Sequence, residues 1–411
     1  MSSKNPIGII ELGDLKIKCI IFTTNDTNNA EILSTSIISS EGIHNGAIVN
    51  LAKATNSIRS CISIAEKKAN VSLKKISVIF EQVDFLCTKF SKHKKISGSK
   101  IFKEDIEFLL KEAKKQLMLN DKNQSIIHIF NHNYNVDGKP FVKEPIDVYA
   151  DFLSHEMTFI TTPKNNLKNI SQAFMDCDIE IEKLISNTFA LGVNFLNQKE
   201  LEYGSILINI GFEKTSLGLF KNLALSHSIT LPVGSNHITK DISKVCSLNL
   251  DESEIIKNNI DFSFGNTQKL FDKNGYLKDS FFINSNIRKI SKNLILDIVK
   301  ARLDEIFGIL KKQIITTRFN LTSEINLFLA DDSSNLHNLD KYCENFFKTN
   351  IKKIIENDKY LEKKDLEKHF SSCLGGIKII KDGWETEAIP VIGKKSPEKK
   401  GFFAKFFGIN Q

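Results

Sequence analysis

Apolar positions recur in two short runs built on one plan. Residues 7–22, IGIIELGDLKIKCIIF, read as a buried strand, a tight turn at Gly13 and a second apolar strand from near Lys16. Residues 205–220, SILINIGFEKTSLGLF, repeat it with Asn209-Ile210-Gly211 where the first run has Glu11-Leu12-Gly13. In each, a polar residue ends the strand and a glycine two positions on permits the turn. The match signals either a duplicated domain whose hairpins face one another across a cleft, or two ordinary hairpins in mixed sheets.

Elsewhere the period changes. Residues 53–69 carry Ile58, Ile62 and Ala65 at helical spacing, and residues 103–118 predict a stronger helix with Glu104 and Asp105 in its first turn. Residues 75–90 and 125–136 read as strands, 138–147 as a loop, and 156–162 as a strand leading into a helix around 164–176. Over 284–317 the residues Ile290, Leu294, Ile298, Arg302 and Glu305 recur at i+3 or i+4, which predicts a long helix. Strands and helices in mixed order, with no repeat of about 20–50 residues, predict an α/β fold rather than a solenoid or bundle.

Composition narrows this picture. With 411 residues, 41% of them hydrophobic, the chain has enough apolar material for several domains of about 100–200 residues. Seven cysteines, far apart and without a C-x-x-C pair, predict reduced, mostly buried thiols in a cytoplasmic protein. Residues 1–10 lack the apolar core of a signal peptide, and no run of about 18 apolar residues occurs, so neither export nor a membrane span is expected.

The formal charge of +7 is unevenly placed. Residues 394–411, KKSPEKKGFFAKFFGINQ, hold five Lys and one Glu, which leaves the body nearly neutral and argues against a nucleic-acid partner. After a linker at 386–401, Phe402, Phe403, Phe406 and Phe407 share one face of a short helix, with Lys405 on the other side. That pattern fits an amphipathic helix over 402–408 on an anionic membrane surface, against the plainer reading of a terminal helix docked on its own core.

The two hairpins also suggest chemistry. Backbone N–H groups at such corners can cradle phosphate oxygens, and a carboxylate at the strand end can hold a metal ion through water. No comparable metal signature exists elsewhere: His128 and His132 on one strand would lie about 13 Å apart, too far to share an ion.

Four segments in order resemble the actin-fold bacterial cell-division protein family FtsA. Glu41-Gly42-Ile43-His44-Asn45-Gly46-Ala47-Ile48-Val49-Asn50, followed by Ser57-Ile58-Arg59, is similar to that family's G-I-x-x-G-x-I-x-D segment. Residues 126–138, then Glu144-Pro145-Ile146, resemble its L-H-x-I-P-x-x-Y-x-x-D-G and K-[DN]-P-x-G stretch. Residues 231–242, LPVGSNHITKDI, are close to its I-P-x-G-x-x-x-I-T-x-D-I. With the first hairpin, the likeness runs from residue 7 to about 393.

The resemblance implies a duplicated, ribonuclease-H-like actin fold with a family-specific inserted subdomain at 75–160 and a C-terminal amphipathic helix. Residues 1–74 and 161–203 would form the first actin-like domain, and 204–385 the second, with a smaller subdomain near 235–290 and a last part returning to the first domain. It further implies ATP held with Mg between the halves, filaments of the chain itself, FtsZ bound through its C-terminal peptide, a place at the inner membrane, and recruitment of later division proteins.

Residues matching the family's nucleotide site are Glu11, Gly13 and Lys16 in the first hairpin and Asn209, Gly211, Lys214 and Thr215 in the second. Arg302 and Glu305 are candidates for adenine or ribose contacts, with a solvated ion pair as the plainer reading, and Gly375-Gly376 match a late glycine segment. Several positions depart from the pattern. Asn209 is neutral where a charged ligand or base is needed, Phe212 and Glu213 replace loop glycines, and Asp331-Asp332 stand where close-approach glycines belong. The expectation is an adaptor that does not hydrolyse ATP and binds it weakly if at all. An active actin-fold ATPase or sugar kinase, and an actin-like type IV pilus assembly module, are the rival readings.

Overall fold

The computed structural model describes residues 5–24, 29–141, 143–262, 270–317, 319, 326–330, 336–353 and 361–382. The linker at 386–401, the helix predicted at 402–408 and Asp331-Asp332 lie outside the described residues.

In chain order the elements begin β1 (Ile7–Leu12), β2 (Lys16–Thr24), β3 (Ala30–Ser39), β4 (Ile43–His44), β5 (Ala47–Ile48), α1 (Leu51–Ala69) and β6 (Lys75–Phe80). There follow β7 (Leu86–Lys100), α2 (Lys103–Asn120), β8 (Gln124–Val136), β9 (Lys139–Phe141), β10 (Tyr149–Pro163), α3 (Lys164–Met175), β11 (Glu180–Ser186), α4 (Asn187–Phe195) and α5 (Gln198–Tyr203). The later chain forms β12 (Ser205–Ile210), β13 (Thr215–Lys221), β14 (Ala224–Leu231), α6 (Ser235–Cys246), α7 (Leu250–Asn258) and α8 (Lys292–Thr316). It ends with β15 (Asn326–Ala330), α9 (Leu339–Phe347), β16 (Ile351–Lys353) and α10 (Leu361–Asp382). Two compact units result: Met1–Ser205 with Gly218–Ile229 and the chain from Phe370, and Ile206–Leu217 with Thr230–His369.

The sheets carry the signature of duplication. The first is ordered β11-β6-β1-β2-β3 and the second β16-β15-β12-β13-β14. Each is a meander of three strands whose first strand is flanked by two later ones, and β11 runs parallel to β6 as β16 does to β15. The likeness between the two hairpins therefore extends to whole sheets.

Local chemistry sets the elements of the first unit. Asn50 starts α1 by accepting the Lys53 N–H at 3.0 Å, and Asn70, at φ 52°, ends it in the left-handed region. Ala54, Ile58, Cys61, Ile62 and Ala65 form the buried stripe of α1, in one cluster with Ile10, Ile17, Cys19 and Ile21 of β1 and β2 and with Ile170 and Phe174 of α3. All seven cysteines are free, and five are buried. Burial pushes the Cys19 and Cys373 thiols well up, which makes them unreactive.

Three expectations are corrected here. The inserted subdomain starts at Leu86 rather than at residue 75, because β6 pairs parallel with β1 inside the first sheet. The insertion is the four-stranded sheet β7-β10-β8-β9 with α2, and it has apolar clusters of its own around Leu109 and Leu153 and around Phe90 and Phe159. Residues 138–147 are not all loop, since Asp137 (φ 47°) and Gly138 (φ 85°) turn β8 directly into β9. The long helix begins at Lys292, capped by the Ser291 hydroxyl on the Leu294 N–H, so Ile290 lies before it. Its buried face is Ile295, Val299, Leu303, Ile306, Leu310 and Ile314, one position round from the stripe read in the sequence. Leu294 on that stripe is exposed.

Candidate functional site

The first hairpin turns on a close approach. The Gly13 N–H donates to the Lys16 carbonyl at 3.2 Å, and a Cβ on Gly13 would stand 2.5 Å from that oxygen. In the second hairpin the Gly211 N–H donates to the Lys214 carbonyl at 2.9 Å, and a Cβ would again meet that oxygen at 2.9 Å. Neither glycine has positive φ, and neither does Phe212. Glycine is needed at these turns for room, and Phe212, which stands where a positive φ would have been costly for a phenylalanine, does not adopt one.

Glu11 is directly opposite Lys18 in the β1–β2 register, with both side chains at most 10% exposed and Nζ 3.2 Å from Oε2. The Ser372 hydroxyl, on α10, donates to the same Oε2 at 2.5 Å. Lys16, the predicted anion contact, is exposed at the start of β2. The cation beside Glu11 is thus two residues further on, facing inward. Gly375 and Gly376 serve the same contact. A Cβ on Gly375 would lie 1.9 Å from the Ala190 carbonyl oxygen, and one on Gly376 would meet Ile79 at 2.9 Å and Ile9 at 3.3 Å. These glycines let α10 lie against α4, β6 and β1, which brings Ser372, one turn before Gly376, within reach of Glu11.

The second hairpin is closed from the α6 side. Gly234 fits against the loop with no room for a Cβ, which would stand 2.5 Å from the Phe212 carbonyl oxygen and 2.6 Å from that of Gly211. The first amides of α6 turn to the same oxygens: Ser235 N–H to Gly211 and Asn236 N–H to Phe212, each at 2.9 Å. Thr215 donates its hydroxyl to the Val233 carbonyl at 2.7 Å. Buried Glu213 accepts from Asn236 Nδ2 at 2.6 Å and lies 3.5 Å from the Lys240 ammonium. The conspicuous 231–242 segment therefore fastens helix to hairpin. Asn209 is buried, and its Oδ1 has no hydrogen-bond partner among the described residues.

Arg302 is committed to protein partners. Its Nε and Nη2 donate to the two carboxylate oxygens of Asp241 on α6 at 2.7 and 2.9 Å, and Nη1 donates to Glu305 at 2.5 Å. This bidentate fork joins α8 to α6. Asp241, within the 231–242 segment, escaped notice as its partner because 61 residues separate the two.

A magnesium nucleotide does not fit these donors. The only hairpin carboxylate in a ligand position, Glu11, already accepts from a lysine and a serine. Asn209 brings no charge, and the α6 amides that would suit an anion are bonded to carbonyls. Phe402, Phe403, Lys405, Phe406 and Phe407 lie outside the described residues.

Another group of residues is both apolar and exposed. In the second unit Val245, Leu250, Ile283 and Ile287 are each more than half exposed. Buried Glu252 ties their segments together, accepting the Asn284 and Ser285 N–H groups at 2.7 and 2.9 Å and the Ser285 hydroxyl at 2.5 Å. Burial alone would raise its pKa, but Ser285 and the Asn284 and Asn249 amides hold the carboxyl at about 2. Arg288 donates to the Ser247 carbonyl at 3.0 Å, placing a cation beside the apolar residues.

Comparison with known proteins agrees with the fold. Residues 206–375 match the family model of the cell division protein FtsA, and residues 86–161 that of the SHS2 domain inserted in FtsA. The cell division protein FtsA of Buchnera aphidicola subsp. Schizaphis graminum is 26% identical over 77% of this chain and 74% of its own. That of Buchnera aphidicola subsp. Acyrthosiphon pisum is 23% identical over 98% of this chain and 96% of its own. Among solved structures, the PilM-PilN type IV pilus biogenesis complex superposes with a TM-score of 0.63 at 12% identity, covering 91% of this chain and 98% of that one. At that identity the likeness concerns the fold, which is actin-like with an SHS2 insertion.

Proposed function

The chain belongs to the FtsA family of cell-division proteins, and we propose that within it this member is a non-enzymatic adaptor. It polymerises on the cytoplasmic face of the inner membrane at the division site, tethers FtsZ there and recruits later division proteins. The observation that carries this reading is the exposed apolar surface of Val245, Leu250, Ile283 and Ile287 with Arg288 beside it, a seat for the FtsZ C-terminal peptide. No step of this function passes through a nucleotide.

Attachment falls to the Lys- and Phe-rich residues 394–411; no helix among the described residues is long and apolar enough to cross a membrane. Each buried Phe contributes about 1.5–3 kcal/mol and each Lys near an anionic leaflet about 1 kcal/mol. Ordering the peptide costs about 1–2 kcal/mol per residue, so a single tail binds weakly and reversibly. Tails arrayed on a filament bind together through effective concentration, and assembly and attachment then reinforce one another.

Co-sedimentation with anionic liposomes in the presence of FtsZ tests the reading. FtsZ is expected to pellet with the full chain, not with one lacking residues 394–411, and to be lost with Ile287→Asp while the chain itself still pellets. Failure of the full chain to bring FtsZ down sinks the adaptor. Magnesium-dependent ATP turnover abolished by Glu11→Gln would favour the enzyme instead.

A further inference from the structure

We propose that Lys18 is a built-in counter-ion: its ammonium occupies the Glu11 carboxylate in place of a divalent cation, and the first hairpin is complete without metal or nucleotide. The inference rests on the reading of this chain as a non-enzymatic adaptor but is tested separately from it.

Three independent features place the charge there. The register puts Glu11 and Lys18 directly across from each other, in strands whose neighbouring pairs, Ile10 with Cys19 and Ile9 with Ile20, are apolar and wholly buried. Nζ is 3.2 Å from Oε2 and 3.5 Å from Oε1, so one ammonium serves both oxygens. The Ser372 hydroxyl also donates to Oε2 at 2.5 Å, carried by a helix whose Gly375 and Gly376 pack closely against Ala190, Ile79 and Ile9. A hydrated divalent ion beside Glu11 would have either to expel a cation of the protein itself or to share the low-dielectric site with it as a like charge.

The ammonium neutralises the carboxylate with a single charge, where a divalent ion would bring two, and it differs from a bound ion in control. A cation that can leave makes a hairpin responsive to its ligand, whereas one covalently part of β2 makes it permanently set. Assembly of this chain is accordingly expected to proceed alike in EDTA and in magnesium-ATP.

The test uses the full chain with Mn²⁺ as the probe, read by electron paramagnetic resonance and by thermal unfolding. The parent and the neutral double variant Glu11→Gln, Lys18→Met are expected to bind no Mn²⁺ at this position and to unfold at temperatures independent of it. Lys18→Met, which leaves the carboxylate without its ammonium, is expected to gain one bound Mn²⁺. Its folding equilibrium constant should rise about 100-fold at a Mn²⁺ concentration 100 times the dissociation constant. If Lys18→Met is unfolded without metal, Mn²⁺ should restore its circular dichroism.

Stoichiometric Mn²⁺ on the parent that the double variant loses overturns the proposal. So does a Lys18→Met chain, folded or not, that neither binds Mn²⁺ nor is stabilised by it. A chain that recruits FtsZ to liposomes yet binds Mn²⁺ through Glu11 refutes the counter-ion and leaves the adaptor standing.

Discussion

Lowering the pH from 8 to 5 should destabilise the first unit through two imidazoles, the buried His128 and the half-buried His227. His128 is 3% exposed, between the rings of Phe130 and Phe189, and its Nε2 accepts the Ser186 N–H at 2.9 Å. The neutral ring with its proton on Nδ1 is the form this bond requires. Burial lowers the His128 pKa to about 3, and burial together with the nearby Lys89 lowers that of His227 to about 4. Unfolded, each titrates near its ordinary value of about 6.5.

A depressed folded pKa means that the unfolded chain takes up the proton first, so stability is complete above about 6.5 and is lost as pH falls toward 3 or 4. At pH 5 each group has cost about 2 kcal/mol, or about 4 kcal/mol for the pair, a figure governed by the unfolded value because both folded values lie below pH 5. His128→Gln keeps an acceptor for Ser186 and removes one of the two groups. Urea unfolding of the full chain followed by circular dichroism at pH 8 and 5 should then show the pH-dependent loss reduced by about 2 kcal/mol in the variant. Equal losses in parent and variant would refute the assignment of His128 as a buried neutral ring.

Two glycines should respond in opposite directions to alanine. Gly308→Ala places a Cβ in open space inside α8 and should stabilise by about 1 kcal/mol, seen as a Tm rise of a few degrees. Gly375→Ala drives a Cβ onto the Ala190 carbonyl and should cost about 1–3 kcal/mol or more, with Tm falling accordingly. Glu252→Gln sets an amide donor against N–H and hydroxyl donors that now meet a carboxylate, and should destabilise the second unit at pH 7. Because the parent carboxyl is held at about 2, its contribution is present above its unfolded value of about 4.3 and is lost as pH falls toward 2. Denaturant titrations at pH 7 and pH 3 should show that acid-dependent loss in the parent and not in the variant.

The sequence by itself determined what depends on neighbours along the chain. Alternation and helical period located both hairpins and the helices α1, α2, α3 and α8, and the paired Gly13 and Gly211 turns could be read because a strand, a turn and a returning strand are contiguous. The Asp137-Gly138 turn is equally local, with both residues at positive φ between contiguous strands.

Only the tertiary structure decided which side chains meet. Period fixed α8 as a helix, but its buried face depends on what covers it, and the stripe chosen from the sequence carried Leu294 to the surface. Lys16 and Lys18 share one face of β2 and look equivalent in one dimension, but register leaves Lys16 exposed beyond the last pair with β1, Leu12 with Ile17, and sets Lys18 across from Glu11. Ser372 stands 361 residues from the carboxylate it serves, brought there by helix contacts that no local pattern records. Propensity and period act over a turn or a strand, whereas the partner of a buried charge is set by close packing between distant segments, because an unpaired charge cannot stay buried.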